Sequence, residues 1–229
     1  MNFIISVVAP QALDTLTRLH AQLQIPLSVT LMGYGTAVQS MLDLLGIESN
    51  ERRIMIAVAS DEKTAKLLRC AKRELYIGVP GHGIVVSVPV RSVGGGNTVQ
   101  YLNDGEVPAK ATPKIHQTYE LIVAIVNEGR TDLVMNVARR AGATGGTVLH
   151  GKGTVSEDAA RFLHVSIADE KEIILMVTRR DQKSKIMHAV LQQAGAQSPA
   201  GTVLFSLPVS DVAGFGMFDG SEDCTAPLD

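Results

Sequence analysis

The chain is written twice, and that duplication limits what it can fold into more than any single motif does. Phe3-Ile-Ile-Ser-Val-Val8 is answered about 118 residues later by Leu121-Ile-Val-Ala-Ile-Val126. The triplet Gly33-Tyr34-Gly35 with Thr36 is answered by Gly151-Lys152-Gly153 with Thr154. One extra residue enters the second copy, after which Glu51-Arg-Arg-Ile54 is answered by Glu170-Lys-Glu-Ile173. The copies close alike, on Ser87-Val-Pro-Val90 with Val93-Gly-Gly95 and on Ser206-Leu-Pro-Val209 with Val212-Ala-Gly214. Solenoid units run to roughly 20–50 residues, so a period this long marks whole domains. Whatever one half folds into, the other should too.

The length of 229 residues suits two domains, each able to bury a modest core. The expected division is a first domain over 1–95, a linker over 96–117, a second domain over 118–214 and an acidic tail over 215–229. The linker reading rests on Gly94-Gly-Gly-Asn97, Pro108 and Pro113 without apolar periodicity. The tail carries Asp219, Glu222, Asp223 and Asp229. A net charge of −2 gives no bulk attraction to a phosphate backbone, so no nucleic-acid partner is expected. No Trp is present, which leaves aliphatic cores and few stacking platforms. Cys70 and Cys224 are too few for a disulfide framework, as in a reducing cytoplasm. The run from Asn2 to Pro10 reads as a first strand and not a signal peptide, and no apolar run is long enough to span a bilayer. A cytoplasmic location is the expectation.

Within each half the apolar pattern alternates between strand and helix periods. Phe3 to Val8 is a continuous β-branched run, a buried strand. Pro10 can open the following helix, whose stripe is Leu13, Leu16, Leu19 and Leu23. In the second copy Thr131 or Asp132 can cap, the stripe is Leu133, Val134, Val137, Ala138 and Ala141, and Gly142 can take a left-handed C-terminal turn. Strands follow over 27–32 and 147–150, then over 54–59 and 173–178. A second helix comes next, with Ala65 and Leu68, or Ile186, Met187, Val190 and Leu191, on its inner face. Last strands run over 84–88 and 203–207. The order βαββαβ is that of the ferredoxin-like α/β sandwich, an α+β fold with both helices on one face of a four-stranded antiparallel sheet. Two such domains stand in tandem. Strands apolar on both sides leave the second face in need of a cover, which oligomerisation would provide.

The glycine pairs Gly33/Gly35 and Gly151/Gly153 are candidates for loops whose N–H groups meet an anion, or else for strand-end turns. They are not a dinucleotide fingerprint, because no third glycine completes Gly-X-Gly-X-X-Gly. Gly83, in Gly81-His82-Gly83, and Gly201 carry the same two readings. His20, His82, His116, His150, His164 and His188 show no metal-ligand spacing, so no metal is expected. No nucleophile elbow is present, and Ser87 and Ser206 read as packing residues before a proline. Arg179-Arg180 with Lys183 and Lys185 is a solvated helix face or a phosphate clamp. Lys185 recurs in the first half, as Lys66.

The second half resembles the PII nitrogen-regulator superfamily. The residues that carry the resemblance are Gly142-Ala-Thr-Gly-Gly-Thr-Val-Leu-His-Gly-Lys-Gly-Thr154, Lys171-Glu-Ile-Ile-Leu-Met-Val177 and Ala200-Gly-Thr-Val-Leu-Phe-Ser-Leu-Pro-Val209. PII proteins are trimeric, non-enzymatic signal transducers that bind adenine nucleotides between subunits and act on protein targets through a long loop. The resemblance implies the same here: a small-molecule effector of nucleotide type, a regulated protein partner, a role in nitrogen regulation, and a homo-oligomer. The oligomer would be a trimer, or a dimer whose domains form pseudo-threefold rings. By this resemblance Gly151, Lys152 and Gly153 stand at the loop base, Lys171 at its end and Gly201 in the nucleotide-facing turn. Gly33, Gly35 and Gly83 are the first-half counterparts. An adenine nucleotide is the candidate ligand, with no further cofactor. The loop from Val155 to Asp169 is short and holds no tyrosine, so no nucleotidylylation acceptor is present. The usual lysine of the turn and the Arg-X-Arg after the last strand are missing too. Two alternatives stay open: a small enzyme of acylphosphatase type on the same topology, and a metal- or cyclic-dinucleotide-binding PII relative. An acylphosphatase would want an arginine-bearing glycine loop after the first strand. Ala9-Pro10-Gln11 and Asn127-Glu128-Gly129-Arg130 stand there.

Overall fold

A computed structural model describes residues 1–37, 49–79, 81–90, 118–152 and 170–214. The expected linker 96–117, the loop 155–169, Gly153 and the acidic tail 215–229 lie outside the described residues. The chain forms two compact units.

In the first unit, β1 (Asn2–Val8) is the aliphatic run foreseen from its composition. It lies between β3 (Glu51–Ala59) and β4 (Gly83–Pro89), antiparallel to both, with Ile5 opposite Ile56 and Val86. After a 3-10 turn that starts on Pro10 comes α1 (Leu13–Gln22), and between β3 and β4 comes α2 (Asp61–Glu74). The Ser60 Oγ accepts from Lys63 N at 3.4 Å, capping α2, and Asp61 and Glu62 in its first turn favour the helix dipole. Leu16 and Leu19 of α1 and Leu67, Leu68, Cys70 and Ala71 of α2 close over Ile4, Val8, Met55 and Val85. Cys70 is the buried core residue its place in the helix stripe implied.

The second unit repeats the plan. β5 (Tyr119–Asn127) pairs along its whole length with β7 (Glu170–Arg179), and β6 (Thr147–Lys152) flanks β7. β8 (Val203–Pro208) takes the outer side of β5. Helices α3 (Thr131–Arg140) and α4 (Arg180–Ala194) bury Val134, Met135, Val137, Ala138, Ile186, Val190 and Ala194 against Ile122, Ala124, Ile174 and Met176. Leu133 and Leu191 were expected on the inner faces, but both are exposed, and Met135 fills the core. Gly142 has φ +115°, and its N–H donates to Arg139 O, the left-handed helix end expected there. The strand orders are β4-β1-β3-β2 and β8-β5-β7-β6, with β2 at Leu27–Gly35. Each half of the chain is thus a ferredoxin-like domain, and the two stand in tandem. Among the described residues no helix is long and apolar enough to cross a membrane.

Each unit also takes in a piece of the other half. The first unit draws on 1–31, 52–116 and 208–229, the second on 32–51 and 117–207. β2 runs on through Gly33 and ends at Gly35. Gly33, Tyr34 and Gly35 continue as strand opposite Leu149, Val148 and Thr147 of β6, inside the second unit. A short β9 (Asp211–Ala213) runs along β4 inside the first unit. Ser87, read from sequence as packing, is held there by hydrogen bonds. Its Oγ lies 2.8 Å from Ser210 Oγ, which donates to Asn2 Oδ1 at 2.9 Å, and all three residues are buried. Replacing Ser210 by alanine leaves Asn2 Oδ1 without this donor and is expected to cost about 1–3 kcal/mol. Urea unfolding monitored by circular dichroism checks this value.

Candidate functional site

The strongest polar cluster of the second unit stands where β5 ends and β7 begins. Asn127, Lys171 and Gly151 are opposite one another across β5, β7 and β6, so their side-chain positions share one face of the sheet. The Lys171 side chain is only 5% exposed. Its Nζ donates to Asn127 Oδ1 at 2.6 Å. Among the described residues no carboxylate lies within ion-pair distance of that ammonium. Burying a charge whose one partner among the described residues is a neutral amide is costly, because two of its three donors need further acceptors.

Asn127 also fixes the turn that leads into β8. Its Nδ2 donates to Pro199 O at 3.2 Å, and its backbone N–H donates to Ala200 O at 2.9 Å. Within the turn, Ser198 Oγ donates to Gly195 O and accepts from Ala200 N. Gly201 closes it at φ +55°, and a Cβ there would stand 2.9 Å from Asn127 Nδ2. The glycine is required both by its backbone conformation and by the amide above it. At Gly151 the opposite holds: a Cβ would meet nothing within 4 Å, so the space beside Lys171 is open. Lys171 and the Gly201 turn therefore meet at Asn127, a residue the sequence reading did not single out, while Gly151 faces Lys171 from β6. Lys152 ends β6 opposite Glu170.

The first half holds no copy of this arrangement. Arg52 is its counterpart of Lys171, is buried, and has its pKa lowered by that burial. Ala9 stands where Asn127 does. Gly33 and Gly35 are placed beside β6, in the second unit. Gly83 opens β4 opposite Val8, at φ +135°.

The other face of the second sheet carries Glu172, also buried. Its Oε2 accepts from Thr131 N at 3.2 Å and from Thr131 Oγ1 at 2.7 Å. The first turn of α3 is thus held by a carboxylate from β7. Thr131 donates to that carboxylate instead of capping the helix, and Asp132 makes no cap bond. His150 Nδ1 lies 3.9 Å from Glu172 Oε1, and the His150 ring meets Tyr34 edge-on. An open cleft of about 470 Å³ is lined here by Tyr34, Thr36, Asn50, Thr131, His150 and Glu172. Of the basic run that opens α4, two residues have acidic neighbours among the described residues. Arg179 is 3.8 Å from Asp181, and Lys183 pairs with Glu120 at 3.1 Å.

Residues 119–215 match the family model for nitrogen regulatory protein P-II. Among curated proteins no sequence matches the chain. Solved structures similar to it include Arabidopsis thaliana PII bound to citrate, at 22% identity and TM-score 0.33, covering 42% of this chain and 79% of that one. A DUF3240 family protein from Shewanella baltica is 12% identical over 42% of this chain and 94% of its own, with TM-score 0.34. The GlnK–ATP complex of B. subtilis is 13% identical over 44% of this chain and 96% of its own, with TM-score 0.32. The family match spans β5 to β9, the half that carries Asn127, Gly151, Lys171 and Gly201, and it makes this half of the chain a domain of the PII superfamily.

Proposed function

We propose that the chain is a non-enzymatic, PII-like signal-transduction protein of nitrogen regulation. It senses a small anionic ligand of nucleotide type and passes its state to a protein partner. The carrying observation is Lys171, a buried ammonium held by a neutral amide, with open space over Gly151 and a glycine turn at Gly201. A phosphate group would supply acceptors that the described residues do not give that ammonium. The P-II match over 119–215 favours an adenine nucleotide as the source of that phosphate. The second half is the binding half in this reading, because Ala9 gives Arg52 no counterpart of the Asn127 amide. Assembly as a homo-oligomer and a place in the cytoplasm belong to the same reading.

Isothermal calorimetry with ATP, ADP, AMP and cyclic dinucleotides tests it. The hydrogen bond of a charged donor to phosphate is worth roughly 1.5–3 kcal/mol. Lys171→Met is therefore expected to weaken the nucleotide that binds by about ten- to a hundredfold. If a nucleotide binds and this substitution leaves its affinity unchanged, the site lies elsewhere. If none binds at millimolar concentration, the nucleotide reading fails.

A further inference from the structure

The face of the second sheet opposite Lys171 carries a group of polar side chains of its own. Glu172 of β7 stands opposite His150 of β6, and Tyr34 of β2 stands opposite Val148. Side chains alternate between the two faces of a strand, so these four share one face and Lys171 lies on the other. With Asn50, Thr131 and Asp132 they line the cleft of about 470 Å³, all of whose lining residues belong to the second unit. Small-molecule sites have volumes of roughly 300–1,000 Å³. The duplication isolates this group. Arg53, Leu13 and Met32 stand at the first-half places of Glu172, Thr131 and His150. The same fold is thus built in the first half without the buried carboxylate, and the polar set is a property of the second half alone.

What the cleft offers is acceptors and negative charge. Glu172 and Asp132 are carboxylates, and none of the described residues that line it is a lysine or an arginine. The two oxygens of Glu172 are used unequally. Oε2 takes both bonds from Thr131, while among the described residues Oε1 has His150 Nδ1 at 3.9 Å, beyond hydrogen-bond reach. Asn50 Nδ2 donates to Ala37 O at 3.0 Å, which fixes the orientation of that amide. Its Oδ1 is enclosed and accepts no hydrogen bond among the described residues. A buried acceptor in that state calls for a donor from water or a ligand. Tyr34 adds an exposed ring, held edge-on to His150, and an aromatic face attracts cations. We propose that this cleft binds a small organic cation, an alkylammonium or guanidinium, with its N–H groups turned to Glu172 Oε1 and the Asn50 carbonyl and its charge beside the Tyr34 ring. Two carboxylates repel an anion. A metal ion is a poorer fit, because the described residues gather no set of three His, Cys, Asp or Glu ligands. Val148 and Ala37 give the carbon chain of such a cation an apolar wall. The inference lies on the opposite face from the nucleotide reading and does not depend on it.

Calorimetry of the full chain with agmatine and putrescine, a small guanidinium and a small diammonium, tests it. At least one is expected to bind, and the ring resonances of His150 are expected to move in NMR spectra as it is added. Glu172→Gln keeps the side-chain shape and can still accept from Thr131, but removes the charge from the cleft. It is expected to weaken the amine by about tenfold or more. Tyr34→Leu, at an exposed position, is expected to weaken it about two- to fivefold with an unchanged circular dichroism spectrum. This second variant keeps the test decisive if Glu172→Gln loosens the first turn of α3. The proposal is overturned if neither amine binds at millimolar concentration, or if one binds without moving His150. It is also overturned if both variants bind as the wild type does, or if a blocked arginine peptide binds where the free amines do not. Lys171→Met is expected to bind the amine like the wild type, and Glu172→Gln to leave any nucleotide affinity unchanged, so the two readings fail separately.

Discussion

Alanine at Gly83 is expected to cost about 3 kcal/mol or more. Gly83 opens β4 at φ +135°, a conformation L side chains rarely adopt, and such strain alone is worth roughly 1–3 kcal/mol. A Cβ there would also stand 2.2 Å from Val7 O, a backbone atom of the neighbouring strand. No rotamer relieves that overlap, so β1 and β4 must part where they pair. Gly214 crowds the same spot from the other side, its own added Cβ falling 2.7 Å from Gly83 O. Gly129→Ala is the matched control, with φ +72° and nothing within 4 Å of its Cβ. It carries only the left-handed penalty of roughly 1–2 kcal/mol. Thermal unfolding separates the two, since each kcal/mol moves the midpoint by roughly 2–4 °C in a chain of this size. Equal shifts would show that φ, and not the contact with Val7, sets the loss.

Acid is expected to destabilise the protein through His20, and His20→Leu to remove that sensitivity. His20 is 3% exposed on α1, and neither ring nitrogen has a hydrogen-bond partner. Burial pushes its pKa from the ordinary 6.5 down to about 4. Between those values the unfolded chain binds a proton that the folded chain refuses, so stability falls as the pH drops through that window. It is restored as the pH rises above the unfolded value. The full effect is about 3 kcal/mol, of which about 2 kcal/mol appears between pH 7 and pH 5. Urea midpoints at those two pH values, for wild type and His20→Leu, measure it. Other carboxylates contribute to both proteins, so the difference between the two slopes is the quantity of interest. Identical slopes would mean that His20 gains water or a partner on protonation.

Local signals in the sequence were enough for the order of strands and helices, because period and punctuation are local. Gly142 stops α3 with the positive φ its position implied, and Pro10 opens the turn before α1. Non-local partners were out of reach. Gly33 and Gly35 read as a strand end, and β2 does end at Gly35, but the ladder to β6 that carries the strand through Gly33 was not legible. Thr131 and Asp132 read as caps for α3, yet the carboxylate comes from Glu172 across the sheet. Ser87 read as packing because Ser210 is far along the chain. At the candidate site, Lys171, Gly151 and Gly201 came from the family resemblance, while Asn127 was overlooked. A signal for it did exist, in a place where the two copies disagree. Asn127 replaces Ala9 at the end of an otherwise matching strand, and a polar residue that breaks a duplication is a marker of what one copy does alone.

The short β9 has a consequence for how the protein is born. Ser87 and Ser210 are separated by 123 positions, so β4 emerges from the ribosome long before the strand that covers it. At roughly 5–20 residues per second that wait lasts on the order of 6–25 s. Throughout it, Val85 and Val86 present a bare β edge beside a first half that is otherwise ready to fold. The sheet of the first unit is completed only once β9 has been made. Between the synthesis of β4 and that of β9 such a nascent chain offers an edge for aggregation, and slowing the ribosome over that stretch would lengthen the exposure.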